Sequence, residues 1–424
     1  PPVDEGSSTR TAPAATSLLT EVDFEDDRRN LATGDQVLMI VEDDRTFAGL
    51  LSELAREKGF KSVVALTAEK ACQFVREYAP VAITLDLRLP DGDGWTLLDR
   101  FKHDPTIAHI PVHIIAAEDH TDRGLRMGAL SYLTKPVTKE AIGDVLEKTQ
   151  EFIDHKVKNL LVVEDDETNS KAIVELIGNG DVETTVAVSA EKALSLLEKK
   201  HFDCMVVDLG LPGMSGLELI RRVKQTPTGT LMPVIVYTGR KLTRKQEAEL
   251  QKLSEAVIIK DVKSPERLLD ETALFLHRVR VKLPVAKRKM LDRAQRDDPV
   301  LAGRKVLVVD DDMRNIFALT GALEQWKMQV IHAESGKEAL DVLAKHADVD
   351  IALMDIMMPE MDGWECMRRI RAQAKFKQLP IIAVTAKAMK GDREKCLEAG
   401  ANDYITKPVD MDQLRSLIRV WLYK

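Results

Sequence analysis

The stretch IALMDIMMPEMDGWE (residues 351–365) places Asp355 directly after four apolar residues, and Pro359 and Gly363 follow it. Charged residues are rarely buried without a partner, so a buried strand that ends in a carboxylate needs a reason. The same arrangement occurs twice more, in VAITLDLRLPDGDGW (81–95) around Asp86 and in CMVVDLGLPGMSGLE (204–218) around Asp208. The chain therefore repeats this feature three times.

The composition is that of a globular protein. The chain has 424 residues, of which 44% are hydrophobic and 31% are charged, a length that allows about three domains. The net charge of -8 argues against a nucleic-acid partner, which requires a clustered basic surface. There is neither an apolar run long enough to cross a membrane nor a signal-peptide pattern. We therefore expect a cytoplasmic protein without membrane contact in this fragment.

Each repeat opens with an apolar run that ends in acids and closes with a lysine. The opening runs are QVLMIVEDD (36–44), LLVVEDD (160–166) and KVLVVDDD (305–312). From the second acid of each run to the strand-ending aspartate, the spacing is 43, 43 and 44 residues. From that aspartate to Lys135, Lys260 and Lys407, respectively, it is 49, 52 and 52 residues. Such constant spacing indicates three copies of one structural unit.

Within each copy, apolar runs alternate with segments of helical periodicity. This alternation predicts an α/β fold with five strands and five helices, in which right-handed crossovers build a doubly wound parallel sheet. The loops beyond the carboxyl ends of parallel strands converge on one crevice. We therefore expect Asp355 to leave its buried strand at the edge that carries the site.

Five segments follow from these boundaries. They are a flexible linker (1–34), a first domain (35–155), a second domain (156–282), a helical linker (283–302) and a third domain (303–424). The first two domains are joined without a Gly or Pro spacer, so we expect them to be held closely. We expect the helix that ends the second domain to break near Pro284. The helical linker has apolar spacing that fits either packing on its own domain or a helix pair in a homodimer.

The third copy brings together residues that suit a phosphoryl group. The carboxylates of Asp310, Asp311 and Asp355 would repel one another at one sheet edge unless a cation joined them. A few carboxylates with room for water suit octahedral Mg²⁺ better than Ca²⁺. Lys407 adds a positive charge, and Thr385 ends the preceding strand with a hydroxyl donor.

The chemistry expected of such a site is phosphoryl transfer, in which alignment and neutralisation of the oxygens dominate. Asp355 is the expected nucleophile and forms an acyl phosphate. Mg²⁺ and Lys407 balance the charge, and Thr385 binds a phosphoryl oxygen. The added charge then draws Thr385 inward and changes the packing of the aromatic Tyr404, so that the site acts as a switch.

Each of these features has an ordinary structural explanation when it stands alone. An acidic pair before a helix often caps it, and an aspartate followed by proline and glycine is typical of a turn. The recurrence of the whole set at nearly fixed spacing favours a phosphoacceptor site.

The three copies resemble the receiver domain of two-component signalling, which implies a flavodoxin-like sheet of order 2-1-3-4-5. Three receivers in series are similar to the carboxyl-terminal part of a hybrid sensor histidine kinase, although the kinase's ATP-binding glycine boxes are missing here. The resemblance implies Mg²⁺, which Mn²⁺ can replace, and receivers that catalyse their own phosphorylation and dephosphorylation. It implies two partners, the histidine kinase domain of the same parent chain and a histidine phosphotransfer protein or domain.

The first copy matches the family pattern except at one position. Its matching residues are the acids Glu42 and Asp43, the acceptor Asp86, the switch aromatic Tyr132, and Lys135. Ala116 stands in place of the hydroxyl residue, so we expect weaker coupling between phosphorylation and conformation.

The second copy matches in its site residues and departs in its expected switch. The matching residues are Glu164, Asp165, Asp208, Thr238 and Lys260. Val257 replaces the aromatic and Asp261 replaces the proline after the lysine, so we expect that loop to be built differently. We expect Asp86 and Asp208 to accept phosphoryl groups as Asp355 does. The departures leave alternatives open, in which the first two copies are regulatory or partner-binding pseudo-receivers or act as a phosphate sink.

Overall fold

A computed structural model describes residues 24–154, 157–226, 229, 232–261, 264–296, 298, 300–386 and 392–423. Residues 1–23 of the predicted linker lie outside these ranges. Among the described helices, none is both long and apolar enough to cross a bilayer.

The first domain alternates strands and helices from β1 to α5. Its elements are β1 Val37–Val41, α1 Arg45–Glu57, β2 Lys61–Ala65, α2 Ala68–Tyr78, β3 Ala82–Leu85, α3 Gly94–His103, β4 Val112–Ala116, α4 Thr121–Arg126, β5 Ser131–Thr134 and α5 Lys139–Asp154. A two-residue hairpin also pairs 88–89 with 92–93.

The second domain repeats this order and is followed by one further helix. Its elements are β6 Lys158–Val163, α6 Glu167–Ile177, β7 Val182–Ala187, α7 Ala190–Leu197, β8 Cys204–Val207, α8 Gly216–Lys224, β9 Val234–Thr238, α9 Arg244–Leu253, β10 Ala256–Ile259 and α10 Ser264–Phe275, and then α11 Val285–Arg296.

The third domain has the same composition. Its elements are β11 Lys305–Val309, α12 Met313–Gln325, β12 Gln329–Ala333, α13 Gly336–Lys345, β13 Ile351–Asp355, α14 Gly363–Ala372, β14 Ile381–Thr385, α15 Asp392–Glu398, β15 Asp403–Thr406 and α16 Met411–Leu422.

The strand order confirms the predicted fold. The sheets run β2-β1-β3-β4-β5, β7-β6-β8-β9-β10 and β12-β11-β13-β14-β15, and all of these pairings are parallel. Every residue of β1 and of β13 is buried, because helices cover both faces of the central strands. Continuous apolar runs are the expected sequence of such strands.

The first two domains are in direct contact, as their short connection predicted. The ring of Phe152 at the end of α5 meets the ring of His277 edge to face at 5.2 Å. From α3, Lys102 Nζ lies 3.4 Å from His277 Nδ1.

The helical linker packs on the second domain. The helix α10 ends at Phe275, earlier than the break predicted near Pro284, and His277 adopts a left-handed backbone with φ 49°. The helix α11 begins directly after Pro284 and buries Leu291 against Leu269 of α10. Of the two alternatives for this apolar face, the structure shows packing on its own domain.

The described end of the predicted linker 1–34 is fixed to the first domain. Asp26 Oδ2 accepts a hydrogen bond from the Val64 amide at 2.7 Å, and Asp27 Oδ2 accepts one from the Ser62 amide at 2.8 Å. Both amides belong to the edge strand β2. The acids of this segment occupy edge donors there, so from residue 24 onward it is part of the domain rather than a flexible connection.

Candidate functional site

In the third domain, the ends of β11, β13 and β15 bring the predicted site residues together. One carboxylate oxygen from each of Asp310, Asp311 and Asp355 lies within 4.8 Å of the others. Lys407 Nζ lies 2.7 Å from Asp310 Oδ2 and 2.8 Å from Asp355 Oδ2. Two of the three acids, Asp310 and Asp355, thus share one ammonium group.

A glycine lets the chain fold back beside Asp355. A Cβ at Gly363 would lie 2.2 Å from the carbonyl oxygen of Asp355, so only glycine allows α14 to begin this close to the strand end. Asp355 Oδ1 accepts a hydrogen bond from the Met357 amide at 3.3 Å. Asp355 therefore has the turn-forming role that is ordinary for an aspartate at this position, in addition to its place in the carboxylate cluster.

The helix that follows the acidic pair is capped by a third acid. Asp312 is the N-cap of α12 and accepts from the Arg314 amide. Asp44 and Asp166 cap α1 and α6 in the same way. Because the third acid of each run accepts from the helix amides, the two acids before it are not needed as helix caps.

The electrostatics of the third site show incomplete charge balance. Burial raises the pKa of the Asp355 carboxyl; the hydrogen bond from Lys407 opposes that shift, and the charge of Asp310 adds to it. Burial would lower the pKa of Lys407, but its two carboxylate partners raise it. A divalent cation would relieve the remaining negative charge.

The residues expected to sense a phosphoryl group lie at the same edge. Thr385 ends β14 and pairs in register with Thr406 of β15. Tyr404, also on β15, is half-buried, and its hydroxyl lies 3.5 Å from the carbonyl oxygen of Asp91 in the first domain.

The first domain assembles a closely similar site. Glu42, Asp43 and Asp86 form the second cluster of carboxylates within 4.8 Å of one another. Lys135 Nζ lies 2.8 Å from Glu42 Oε2 and 2.6 Å from Asp86 Oδ2. Burial raises the pKa of Glu42 to about 7. Ala116 is buried at the position of the missing hydroxyl.

The model of the response regulator receiver domain matches three ranges of the sequence, 38–147, 160–273 and 306–419. The chain belongs to this family. Its three domains are receivers, the modules of phosphorelay signal transduction, and are called receiver 1, receiver 2 and receiver 3 in chain order.

Several histidine kinases are similar to the chain. The histidine-protein kinase BarA of Escherichia coli K12 is 28% identical over 266 residues, which are 62% of this chain and 27% of BarA. Histidine kinase 3 of Arabidopsis thaliana is 36% identical over 135 residues, 27% of this chain and 13% of that protein. The chain thus spans less than a third of either kinase.

Among solved structures, a receiver domain of the sensor histidine kinase PA1611 from Pseudomonas aeruginosa is 34% identical to the chain. The match covers 29% of this chain and 100% of that domain, with a TM-score of 0.27. That structure has a magnesium ion coordinated in its active-site cleft.

Receiver 2 arranges its predicted residues differently. Among the described residues, Glu164, Asp165 and Asp208 do not form a third carboxylate cluster. The hydroxyl of Thr238 donates to Asp208 Oδ1 at 2.7 Å. Lys260 Nζ lies 2.8 Å from Glu164 Oε2 and 3.0 Å from Asp208 Oδ2. The Asp208 carboxylate is therefore held by the Thr238 hydroxyl and the Lys260 ammonium group.

These bonds change the acidity of Asp208. Burial acts to raise its pKa, but hydrogen bonds from Thr238, the Gly210 amide and Lys260 outweigh burial and lower it. The shift is opposite to that of Asp355. The loop after Lys260 is built differently, as expected, because the Asp261 amide donates to Ser264 Oγ at 3.1 Å. The Lys135–Pro136 and Lys407–Pro408 peptide bonds of the other receivers are cis.

An amide next to the acids was missed by the sequence analysis. Asn315 Nδ2 donates to Asp310 Oδ1 at 2.9 Å, and Asn169 Nδ2 lies 3.3 Å from Glu164 Oε1. In receiver 1 this position is Phe47, whose ring lies 4.6 Å from Lys135 Nζ. The sequence signal that could have identified this position is an asparagine four residues after the second acid in both receivers 2 and 3.

A salt bridge at the crevice of receiver 1 was also missed. Arg88 pairs with Glu118, and the Tyr132 hydroxyl donates to the carbonyl oxygen of Glu118. Arg88 follows Asp86 by two residues and Glu118 follows Ala116 by two, so opposite charges at matched offsets were the available signal. The pair links the loop after Asp86 to the loop after Ala116.

Proposed function

We propose that the chain is a phosphorelay segment whose receivers accept phosphoryl groups from phosphohistidine, with Asp355 as the principal acceptor. The main support is that carboxylate oxygens of Asp310, Asp311 and Asp355 lie within 4.8 Å of one another. Lys407 Nζ also lies 2.8 Å from Asp355 Oδ2. Within the part of the chain that the structure describes, neither of the other receivers combines such a cluster with a hydroxyl residue at the end of its fourth strand.

The donor set of receiver 3 fits Mg²⁺. Three carboxylates that can each offer one oxygen suit a hard divalent ion that keeps several waters. Asp310, Asp311 and Asp355 would hold the ion, and Glu42, Asp43 and Asp86 would hold one in receiver 1. When bound, Mg²⁺ neutralises charge on the transferring phosphoryl oxygens. We expect Mn²⁺ to substitute, because it accepts the same oxygen ligands.

The protein's own groups align the transfer. A carboxylate oxygen of Asp355 attacks phosphorus; the new O–P bond forms while the N–P bond of phosphohistidine breaks, and the imidazole nitrogen keeps that electron pair. Lys407 keeps the acceptor in place and offsets the incoming charge. Thr385 then donates its hydroxyl to a phosphoryl oxygen, which draws its loop toward the site.

The test is covalent labelling of the full chain. A small phosphodonor with Mg²⁺ should add one phosphoryl mass to receiver 3 of the wild type and none to receiver 3 of Asp355→Ala. Asp341→Asn, which removes an exposed acid of the same receiver, is the matched control and should label normally. Equal labelling of receiver 3 in Asp355→Ala and wild type would refute the role of Asp355.

Receiver 1 is proposed as an acceptor through Asp86 with weak output. Its cluster and Lys135 repeat the geometry of receiver 3, while Ala116 offers no hydroxyl to a phosphoryl oxygen. A label on Asp86 without a change in the mobility of the Ala116 loop is the expected result.

For receiver 2, the structure favours the regulatory alternative. Among the described residues its three acids do not form one carboxylate cluster, and Thr238 already binds Asp208. Rapid Mg²⁺-dependent labelling of Asp208 would count against a regulatory role and would indicate that receiver 2 takes part in phosphoryl transfer. A phosphate sink differs in label lifetime, because a sink loses its acyl phosphate quickly without a downstream acceptor.

The proposed partners are the histidine kinase domain of the same parent chain and a histidine phosphotransfer domain. Homodimerisation through the helical linker would need a surface other than Leu291, which is buried against receiver 2. Light scattering of the full chain tests it. The cytoplasmic location stays a prediction.

A further inference from the structure

The last helix of receiver 3 is docked on receiver 1. Val420 of α16 is 3% exposed and lies in the apolar cluster of receiver 1 that contains Trp95, Leu98 and Phe101. These three side chains come from α3. A residue of receiver 3 thus completes the core packing of a domain that precedes it by more than a hundred residues.

A buried ionic group surrounds this contact. Arg419 Nε lies 3.1 Å from Asp99 Oδ1 of α3, and its Nη1 pairs with Asp298 of the connection between receivers 2 and 3. Asp99 is 4% exposed and Asp298 is 3% exposed. Removing one partner of such a group would leave an uncompensated buried charge, so each member depends on the contact between the domains.

Both ends of α16 are held by arginines of receiver 1. Arg100 Nη2 lies 3.7 Å from Asp410 Oδ2 at the start of the helix. Arg123 Nη2 donates to the Val420 carbonyl oxygen at 3.0 Å near its end. Arg123 belongs to α4, the helix that follows the Ala116 loop.

The same interface contains a contact between Tyr404 of receiver 3 and the loop that follows Asp86 in receiver 1. The Tyr404 hydroxyl lies 3.5 Å from the Asp91 carbonyl oxygen. Asp91 lies in the loop after Asp86, and its carboxylate accepts from the amides of Ala68 and Glu69 at the start of α2. Movement of Tyr404 would therefore change a contact of the loop that follows Asp86.

We infer that receiver 1 is the intramolecular partner of unmodified receiver 3, and that phosphorylation of Asp355 weakens the contact between α16 and α3. The inference rests on the proposed function, which supplies the phosphoryl group. Thr385 moves toward that group, Tyr404 follows, and its hydroxyl leaves Asp91. Coupling between two sites is reciprocal, so the state of Asp86 also changes the response of Asp355.

Hydrogen exchange of the full chain tests the inference. The experiment uses the full chain with the substitutions Asp86→Asn and Asp208→Asn as its background. Beryllium fluoride with Mg²⁺, an analogue of the phosphoryl group, then acts at Asp355. Exchange in 94–103 and 411–422 should accelerate about fivefold or more, the usual size of such coupling. Adding Tyr404→Phe, which keeps the ring and removes the hydroxyl, should reduce this acceleration, and adding Asp355→Asn should abolish it.

The outcomes separate the two proposals. Altered exchange in 381–385 with unchanged exchange in 94–103 would overturn the inference and leave the proposed function intact. Unchanged exchange in all of these segments, together with no labelling of Asp355, would overturn both. An undiminished response in the Tyr404→Phe protein would exclude the tyrosine as the connection.

Discussion

Replacing Thr238 by valine tests how receiver 2 holds its acceptor. Valine keeps the shape of the buried threonine and removes the hydroxyl that donates to Asp208 at 2.7 Å. A hydrogen bond to a charged group contributes about 1.5–3 kcal/mol. Lys260 and the Gly210 amide still bind the carboxylate in the variant, so we expect the lower end of that range. A loss of about 1.5 kcal/mol is roughly a tenfold change in an equilibrium constant.

Hydrogen exchange in 204–207 is the suitable assay, because all four tryptophans (Trp95, Trp326, Trp364 and Trp421) lie outside receiver 2. Amides of this central strand should exchange about tenfold faster in Thr238→Val when exchange follows cooperative opening of the receiver. Thr238→Ser keeps the hydroxyl and should stay close to wild type. Equal acceleration in the serine and valine variants would refute the reasoning.

The pH dependence of this effect has a definite sign. The folded-state pKa of Asp208 is lowered, so its bonds stabilise the receiver above the unfolded pKa, and that contribution is lost as the pH falls through the folded pKa. The difference between Thr238→Val and wild type should be full near neutral pH and shrink below about pH 5. A difference that stays constant through this acid range would assign the effect to packing.

Three further predictions concern the other receivers. Ala116→Thr adds a hydroxyl worth about 0.5–1.5 kcal/mol to receiver 1 and should lengthen the lifetime of an Asp86 label about two- to tenfold, measured by intact mass. Lys102 is buried, which lowers its pKa to about 7, so wild-type stability should rise from pH 7 toward 10 by at most about 1.4 kcal/mol per pH unit. Lys102→Met should lack that rise in thermal unfolding. Removal of Mg²⁺ by a chelator should slow labelling of Asp355 and Asp86 at least about tenfold and affect Asp208 less, as peptide mass analysis would show.

The positions that could be predicted from the sequence are those that the strand ends fix. Asp355 follows an apolar run, so a parallel sheet must place it at the edge where Asp310 and Lys407 also emerge. The spacing of the repeat determines this without any knowledge of side-chain conformation. The sites of receivers 1 and 3 were accessible for this reason, whereas the order 2-1-3-4-5 came from the resemblance to receiver domains.

Side-chain orientation and domain contacts could not be predicted in the same way. The predicted site residues of receivers 2 and 3 differ in type only by Glu164 in place of Asp310, yet among the described residues the three acids form a cluster in receiver 3 and not in receiver 2. In receiver 2 the Thr238 hydroxyl binds Asp208, an arrangement of side-chain torsions that the sequence pattern did not predict. Arg419 and Asp99 are 320 residues apart in sequence, and either alone resembles an ordinary charge on an amphipathic helix. Only the assembled chain shows that they form one buried pair.

The acidic segment before the first strand has a practical consequence. A chain trimmed at residue 35 would lose Asp26 and Asp27 and uncover the amides of Ser62 and Val64 on the outer margin of β2. An unpaired strand margin is a template for association with another molecule. Shortened versions of this protein should therefore aggregate more readily than versions that begin before Phe24, whatever their signalling competence.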